Sequence, residues 1–250
     1  MIKLENTEVF GFEVAIRGMR NPMNSWDKSD SYFCNKCIKS SIKCSECPIE
    51  VNGYDIDRHY FNGCYVVGEN DLKLMKSLSK AGNDHSKFLR MINVTVDITA
   101  PLYWWKEFDT YKVGTVANSC STMHKIHAKK FELDDFSHEH LLPVAIDKLT
   151  ETIELLNNCC EYFVNYDKYK DEREYVTENV WFGVLDKKEY WWQMIQLLPS
   201  SYNQKRTVQL NYQVLKSMYF ARRNHKLDEW HTLCKWMKSL PYFKEICIDG

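Results

Sequence analysis

This chain has little of what marks flexible, membrane-bound or strongly charged proteins. Its 250 residues include nine glycines and six prolines, so no flexible linker between domains is visible. The chain has 33 basic and 34 acidic residues, so its net charge does not attract it to nucleic acid or to an anionic membrane. No apolar run is long enough to cross a bilayer, and residues 1–8 lack the apolar core of a signal peptide. We therefore expect a cytoplasmic protein that does not contact membranes.

Aromatic residues and cysteines are plentiful, and hydrophobic periodicity outlines the secondary structure. Alternation of apolar and polar residues predicts strands over 8–17 and 93–98. Helical spacing of apolar residues predicts helices over 71–81, 102–112, 140–166, 187–198, 207–223 and 227–240. A few early strands followed by several helices predict an α+β fold. A chain of this length can bury one sizeable core, so we expect a single domain over 1–250.

Four of the ten cysteines form two close pairs, Cys34 with Cys37 and Cys44 with Cys47. Two such thiolate pairs can converge on one tetrahedral Zn²⁺, and four sulfur ligands leave no open position for catalysis. We predict a structural zinc knuckle over 31–50, inserted into the main fold, with Cys64 as a substitute ligand. Reduced, unliganded thiols and an iron–sulfur cluster are the alternatives.

The segment 93–124 is predicted to form a strand, a helix and a polar loop in that order. Pro101 suits the first turn of the helix, where its missing N–H costs nothing. An aromatic stripe on this helix consists of Trp104, Phe108 and Tyr111. The loop over 114–121 is small and rich in hydroxyls, so a small ligand can approach its backbone closely. An ordinary loop after a buried helix fits the same residues.

Asn211 and Arg222 are eleven residues apart in the helix predicted over 207–223. Eleven residues are close to three turns, so both side chains are expected on roughly one face, about 16 Å apart. An amide and a guanidinium at the two ends of an apolar stripe can hold two parts of an extended ligand. Two polar ends of an ordinary core helix explain the same pair.

Taken together, these segments resemble the flavin-dependent thymidylate synthases. The matching pieces are Gly82-Asn-Asp-His85, the strand and helix up to 112, Asn118-x-x-Ser121, Leu198-Pro199-Ser-Ser-Tyr202, Thr207-Val208-x-x-Asn211, Arg222 and Glu229-Trp230. This family has an α+β fold with a small antiparallel sheet and helices. It methylates deoxyuridine monophosphate (dUMP) with methylenetetrahydrofolate and a reduced flavin as hydride donor. Its members are usually homotetramers that bind flavin and nucleotide between subunits.

The resemblance assigns roles to particular residues of this chain. Flavin adenine dinucleotide (FAD) would contact His85, Lys112, Asn118 and Asn211. The nucleotide would contact Glu107, Ser121 and Arg222, with Ser121 closest to the chemistry. The resemblance therefore implies FAD as cofactor, a pyrimidine nucleotide as substrate, and NADPH and methylenetetrahydrofolate as co-substrates.

The family signature is altered at several positions that carry charge in the family. Its Arg-His-Arg triplet corresponds to residues 110–112, which are Thr, Tyr and Lys here, and the following loop is one residue longer. Ser119 and Met123 stand where the family has a Glu and a phosphate-binding Arg. Because phosphates need fixed cations or aimed N–H donors, other cations are needed. The candidates are Arg20, Lys205 and Arg206.

Three functions are compatible with these observations. The first is a flavin-dependent thymidylate synthase-like enzyme, in which Cys120 would be a nucleophile only if a base lay beside it. The second is a non-catalytic protein that keeps the fold and binds a nucleotide or a protein partner. The third, nucleic-acid binding through the lysines of the knuckle, is the weakest because the whole chain carries a net charge of −1.

Overall fold

The computed structural model describes residues 2–34, 64–169 and 186–250 as a mixture of helices and strands. The strands are β1 (Lys3–Phe10), β2 (Tyr32–Cys34), β3 (Cys64–Val66), β4 (Asn93–Pro101), β5 (Val116–Ser119) and β6 (Asn203–Asn211). The α-helices are α1 (Phe12–Arg20), α2 (Glu69–Lys80), α3 (Leu102–Phe108), α4 (Pro143–Val164), α5 (Tyr166–Tyr169), α6 (Lys187–Leu197), α7 (Tyr212–Arg222) and α8 (Asp228–Ser239). Four strands form a sheet in the order β1-β4-β6-β5, and β2 pairs with β3. The predicted mixture of helix and sheet is confirmed.

Packing divides the chain into two compact units. The first contains Thr99–Phe108 and Ser119–Arg206. The second contains Ile2–Ile98, Asp109–Asn118 and Thr207–Gly250. The single domain over 1–250 and the inserted knuckle over 31–50 stay predictions. Within the described parts of the chain, no helix is long and apolar enough to cross a membrane.

The strand predicted over 8–17 is wrong in its second half, where the chain forms α1. Gly11 ends β1 with a φ of +100°, and a Cβ there would lie 2.1 Å from the carbonyl oxygen of Met91. Only glycine fits that close approach. The residues of α1 that are buried recur at helical spacing, namely Phe12, Ala15, Ile16 and Met19. This spacing overlaps with the alternation that predicted a strand.

The helix predicted over 207–223 is wrong in its first part, which is the end of β6. Val208 and Leu210 are buried on one face of that strand. Asn211 then caps α7, because its Oδ1 accepts a hydrogen bond from the backbone N–H of Val214 at 3.1 Å. Asn211 and Arg222 therefore lie at opposite ends of α7, and the shared helix face predicted for them stays a prediction. The helix predicted over 102–112 is also too long, because α3 ends at Phe108, before Tyr111.

The second unit buries the apolar face of β4, and hydrogen bonds hold the polar face of this strand to its neighbours. Val94, Val96 and Ile98 are fully buried. On the opposite face, the carboxylate of Asp97 accepts hydrogen bonds from Asn6 Nδ2 at 2.9 Å and Thr207 Oγ1 at 2.7 Å. These two bonds join β1, β4 and β6, so Asp97 fixes the register of three neighbouring strands.

The first unit has a core between α4 and α6 and an aromatic cluster on α3. Residues buried in the core include Leu156, Cys159 and Met194. The indole rings of Trp104 and Trp105 meet edge to face at 5.0 Å, and Trp105 Nε1 donates to the carbonyl oxygen of Gln204 at 3.0 Å. The predicted aromatic stripe is thus a buried cluster at Trp104 and Phe108 that does not include Tyr111.

A buried ion pair between Arg20 and Asp71 joins α1 to α2 in the second unit. Asp71 Oδ1 accepts from Arg20 Nε at 2.7 Å, and Oδ2 accepts from the hydroxyls of Ser29 and Ser31 at 2.7 and 2.6 Å. The two terminal nitrogens of Arg20 donate to the carbonyl oxygens of Ser25 and Lys28. Each of the three nitrogens of Arg20 donates within this network, so the guanidinium is held between α1 and α2.

Burial alone would raise the pKa of Asp71, but the hydrogen bonds from Ser31, Ser29 and Arg20 outweigh burial. Together they hold the pKa of this carboxyl below its ordinary value of 3.8. A carboxyl whose pKa is lower in the folded state stabilises the protein above its unfolded pKa. That stability is lost as the pH falls through the folded value.

We expect Asp71→Asn to lower the free energy of unfolding by about 3–5 kcal/mol, because it leaves the buried guanidinium of Arg20 without its counter-charge. Urea unfolding at pH 7 measures this loss, and Asp84→Asn, at an exposed carboxylate, is the matched control. Between about pH 5 and 2, unfolding free energy should fall more steeply in the wild type than in Asp71→Asn. Equal slopes would show that Asp71 does not titrate with a lowered pKa.

Candidate functional site

The loop Asp109–Asn118, whose last three residues belong to β5, touches the first turn of α7 at Gly114. A Cβ on Gly114 would lie 3.0 Å from Asn211 Nδ2 and 3.1 Å from Val214 Cγ2, and the glycine has a φ of +76°. Such close backbone approach suits glycine because it lacks a side chain and adopts positive φ without strain. Asn211 therefore has two partners, since its oxygen caps α7 and its amide nitrogen faces the loop.

The same loop reaches the other end of α7 through Tyr111. Arg222 Nε donates to the hydroxyl of Tyr111 at 2.9 Å. The guanidinium carbon of Arg222 lies 4.7 Å from the centre of the Trp230 ring and 5.6 Å from that of Tyr111. Trp230 is fully buried. A hydrogen bond and two cation–π contacts thus fix the position of this guanidinium.

Near these two contacts the loop carries one buried hydroxyl and two exposed polar side chains. Among the buried polar side-chain atoms of the described residues, Thr115 Oγ1 has no hydrogen-bond partner. Buried hydroxyls usually have a partner, so an unpaired one indicates a missing hydrogen bond. Lys112 and Asn118 are exposed on either side. No sequence pattern pointed to Thr115, because the burial of its hydroxyl depends on the fold of the loop.

His85 is linked to the first turn of α7 by the next residue in the chain, Ser86. It is exposed and directly precedes the 3₁₀ helix Ser86–Arg90. Ser86 Oγ donates to Gln213 Oε1 at 3.3 Å, which links this segment to α7. The second unit therefore brings His85, Lys112, Asn118, Asn211 and Arg222 to α7 or to segments that contact it.

Glu107 and Ser121 belong to the first unit. Glu107 is half-buried on α3, and Ser121 is exposed in the loop after β5. Ser121 Oγ accepts a hydrogen bond from the backbone N–H of His124 at 2.9 Å. That bond uses an acceptor site of the hydroxyl, so its proton is still available to donate to a ligand.

The guanidinium of Arg206 is held in the first unit by Trp105 and Gln204, which its sequence position did not reveal. Its guanidinium carbon lies 4.2 Å from the centre of the Trp105 ring, and its Nε donates to Gln204 Oε1 at 3.0 Å. Gln204 in turn donates from Nε2 to the carbonyl oxygen of Cys120 at 2.8 Å. Stacking on tryptophan orients this guanidinium, which remains half-exposed.

The predicted zinc site cannot be compared with the structure, since Cys37, Cys44 and Cys47 lie outside the described residues. Cys34 is the last residue of β2. Within 2–34, 64–169 and 186–250, no group of three or more His, Cys, Asp or Glu side chains is arranged to hold a metal ion. The zinc knuckle stays a prediction.

Solved structures show where this architecture occurs. Two crystal structures of thymidylate synthase X (ThyX) from Helicobacter pylori, each with FAD and dUMP, match with a TM-score of 0.58 and 14% identity. The matches cover 100% and 99% of this chain and 98% of the ThyX chains. This chain is similar in fold to ThyX. No family model and no curated protein matches its sequence. The fold implied by the resemblance is confirmed.

We expect Gly114→Ala to destabilise the protein more than Gly82→Ala, by about 1–3 kcal/mol. Both glycines have positive φ, so both substitutions strain the backbone to a similar extent. Only the new methyl group at 114 meets other atoms, because a Cβ at Gly82 has nothing within 4 Å. Thermal and urea unfolding of the two variants measure the difference. Equal losses would mean that the loop is not packed against α7.

Proposed function

We propose that this chain is a divergent flavin-dependent thymidylate synthase that binds FAD and dUMP at the loop Asp109–Asn118 and α7. One observation carries the proposal. The loop contacts α7 at both ends, through Gly114 with Asn211 and through Tyr111 with Arg222. These are segments that match the flavin and nucleotide segments of the family, and here they meet in a chain with the fold of ThyX.

The charges of this site suit an anionic ligand. Arg222 supplies a guanidinium whose position is fixed by Tyr111 and Trp230. Lys112 supplies an exposed ammonium next to Tyr111 in the chain. A lysine provides charge without the planar fork of arginine, so we assign the phosphate of dUMP to Arg222 and a flavin phosphate to Lys112.

The residues present fit a flavin nucleotide. Gly114 leaves the loop backbone without a side chain, while Asn118 offers an exposed amide. When bound, a reduced flavin supplies the hydride for methylation, with carbon from methylenetetrahydrofolate and reducing equivalents from NADPH. Within the second unit, Arg222 and Lys112 are the groups that bind the anionic parts of the ligands.

A second candidate is a non-catalytic protein with the same fold. It would bind either the nucleotide, without turnover, or a protein partner. Met123 favours it, because an apolar side chain that is 52% exposed stands where the family has a phosphate-binding arginine. The backbone at Met123 is fixed, since its carbonyl oxygen accepts from Trp191 Nε1 at 2.9 Å. Losing one charge-assisted phosphate contact costs about 1.5–3 kcal/mol of binding.

We also propose a cytoplasmic homotetramer in which neighbouring subunits complete the sites. The apolar side chains of Val113 and Val116 are 89% and 68% exposed and flank Gly114 and Thr115. Exposed apolar groups beside a ligand site suit a subunit interface. Light scattering at micromolar concentration tests the assembly, and a monomer would contradict shared sites.

Metal analysis of reduced protein tests for one structural Zn²⁺ on Cys34, Cys37, Cys44 and Cys47.

We expect Arg222→Ala to weaken dUMP binding about ten- to a hundredfold, since a charge-assisted contact contributes roughly 1.5–3 kcal/mol. Tyr111→Phe should weaken it less, because it removes only the hydrogen bond that orients Arg222. Lys112→Ala should weaken FAD binding more than dUMP binding. Titration calorimetry with each ligand measures these effects, and Lys73→Ala, an exposed lysine on α2, is the control.

Binding and turnover separate the two candidates. If wild-type protein binds neither FAD nor dUMP below millimolar concentration, both nucleotide-binding proposals fail. If both ligands bind and thymidine monophosphate forms in the presence of methylenetetrahydrofolate and NADPH, the enzyme is established. Binding without product supports the non-catalytic alternative.

A further inference from the structure

An irregular segment of the first unit, residues 123–130, carries three lysines and two histidines and no acidic residue. Its position on α4 and α6 is fixed. Ile126 is buried in the core that these helices form. The indole of Trp191 donates to the carbonyl oxygen of the first residue of the segment at 2.9 Å. Just after its last residue, Asn157 exchanges two hydrogen bonds with the backbone of Phe131, at 2.8 and 2.9 Å. The segment therefore presents its charged side chains from a fixed backbone.

The start of α6 brings two more lysines to the same part of the first unit. Lys187 Nζ lies 5.2 Å from the centre of the Phe163 ring, and the ring of His127 lies 4.7 Å from the same centre. Lys187 therefore shares an aromatic neighbour with the segment 123–130. Lys188 is the next residue of α6 and is exposed.

Each of these two lysines precedes a tryptophan by four residues on α6. Lys187 precedes Trp191, and Lys188 precedes Trp192. Residues four apart are neighbours on a helix surface, so each ammonium lies on the same side of α6 as an indole ring. Trp192 is 41% exposed, although tryptophan side chains are usually buried to a large extent. Its ring is therefore open to a ligand beside a lysine.

Several acidic side chains in this part of the unit are bonded within the protein. Asp135 Oδ1 accepts from Lys129 Nζ at 2.5 Å. Asp186 and Glu189 form the capping box of α6, in which Glu189 accepts from the backbone N–H of Asp186 at 2.6 Å. Four further lysines are exposed and together with Trp192 define the basic surface: Lys125, Lys130, Lys187 and Lys188. Such a surface attracts a polyanion locally although the whole chain has a net charge of −1.

We propose that the basic surface binds single-stranded nucleic acid, with its lysines on phosphates and Trp192 stacked on a base. Proteins that bind single strands without sequence preference combine these two elements, a cationic surface along the backbone and an aromatic ring that stacks on bases. None of these lysines belongs to the predicted knuckle. The proposal is independent of the nucleotide site at α7.

The neighbours of Trp192 favour a nucleic acid over a membrane. An amphipathic helix that binds an anionic bilayer needs a continuous apolar face. Four residues before and after Trp192, α6 exposes Lys188 and Gln196 instead. A single aromatic ring between polar side chains suits one stacked base with a phosphate beside it.

The test adds the full chain to a dye-labelled oligothymidylate without a 5′ phosphate and follows fluorescence anisotropy at several salt concentrations. We expect affinity to fall with salt, with a slope of log K against log salt of about −0.7 per neutralised phosphate. Lys188→Ala should weaken binding and make that slope shallower by about 0.7. Lys73→Ala, at an exposed lysine of α2, is the matched control and should change neither.

Trp192→Ala should weaken binding about five- to a hundredfold and leave the salt slope unchanged, because stacking adds affinity without neutralising a phosphate. Trp26→Ala removes an exposed tryptophan of the second unit and should have no effect on binding. Circular dichroism identifies any variant that fails to fold.

Four results with the wild-type chain would overturn the proposal, so a misfolded variant does not affect the conclusion. The first is no binding of oligothymidylate at about 50 mM salt. The second is equal affinity for a duplex of the same length, since stacking on Trp192 requires an unpaired base. The third is displacement by saturating dUMP, which would assign the oligonucleotide to the proposed nucleotide site. The fourth is binding to phosphatidylserine vesicles alone, which would make the basic surface a membrane contact.

Discussion

The junction between β6 and α7 at Asn211 and Tyr212 is the constraint on which both the core and the candidate site depend. Asn211 ends the strand and caps the helix, and its amide nitrogen meets Gly114. The backbone N–H of Tyr212 donates to the carbonyl oxygen of Ile92 at 3.0 Å, and its buried hydroxyl donates to the carbonyl oxygen of Pro241 at 2.7 Å. Three segments distant in sequence, at Ile92, Gly114 and Pro241, therefore converge on two adjacent residues. The direction of α7, and with it the position of Arg222, follows from this junction.

Long amphipathic segments were predictable because their apolar periodicity is unambiguous, as in α4, α6, α8 and β4. The sequence could not separate α1 from a strand, since Phe12 and Ile16 fit both periods and Gly11 acts through a contact with distant Met91. It could not reveal the ion pair of Arg20 and Asp71 either, because 51 residues separate them. For the proposed site, motif order pointed to segments that the second unit brings into contact, but the unpaired hydroxyl of Thr115 depends on how the loop folds.

The altered signature shows how a fold can persist while its charges change. Burial of β4 and the cap of α7 do not involve the signature positions, so substitutions at 110–112, 119 and 123 leave the core intact. In the proposed site, ligand binding would depend on those positions directly, because each arginine of the family signature that is absent here removes a charge and a planar set of donors. Fold similarity to ThyX therefore does not by itself carry the ligand contacts over to this chain.

Tyr111 illustrates what replaces the lost charge. It occupies the middle of the altered triplet, yet its hydroxyl accepts from Arg222 within the protein. An aromatic residue at this position cannot neutralise a phosphate, but it fixes the guanidinium to which we assign the phosphate in the proposed site. The cost of ordering a long arginine side chain is then met during folding, before a ligand arrives. With fewer cations than the family signature provides, binding strength would depend on how well this one guanidinium is held in place.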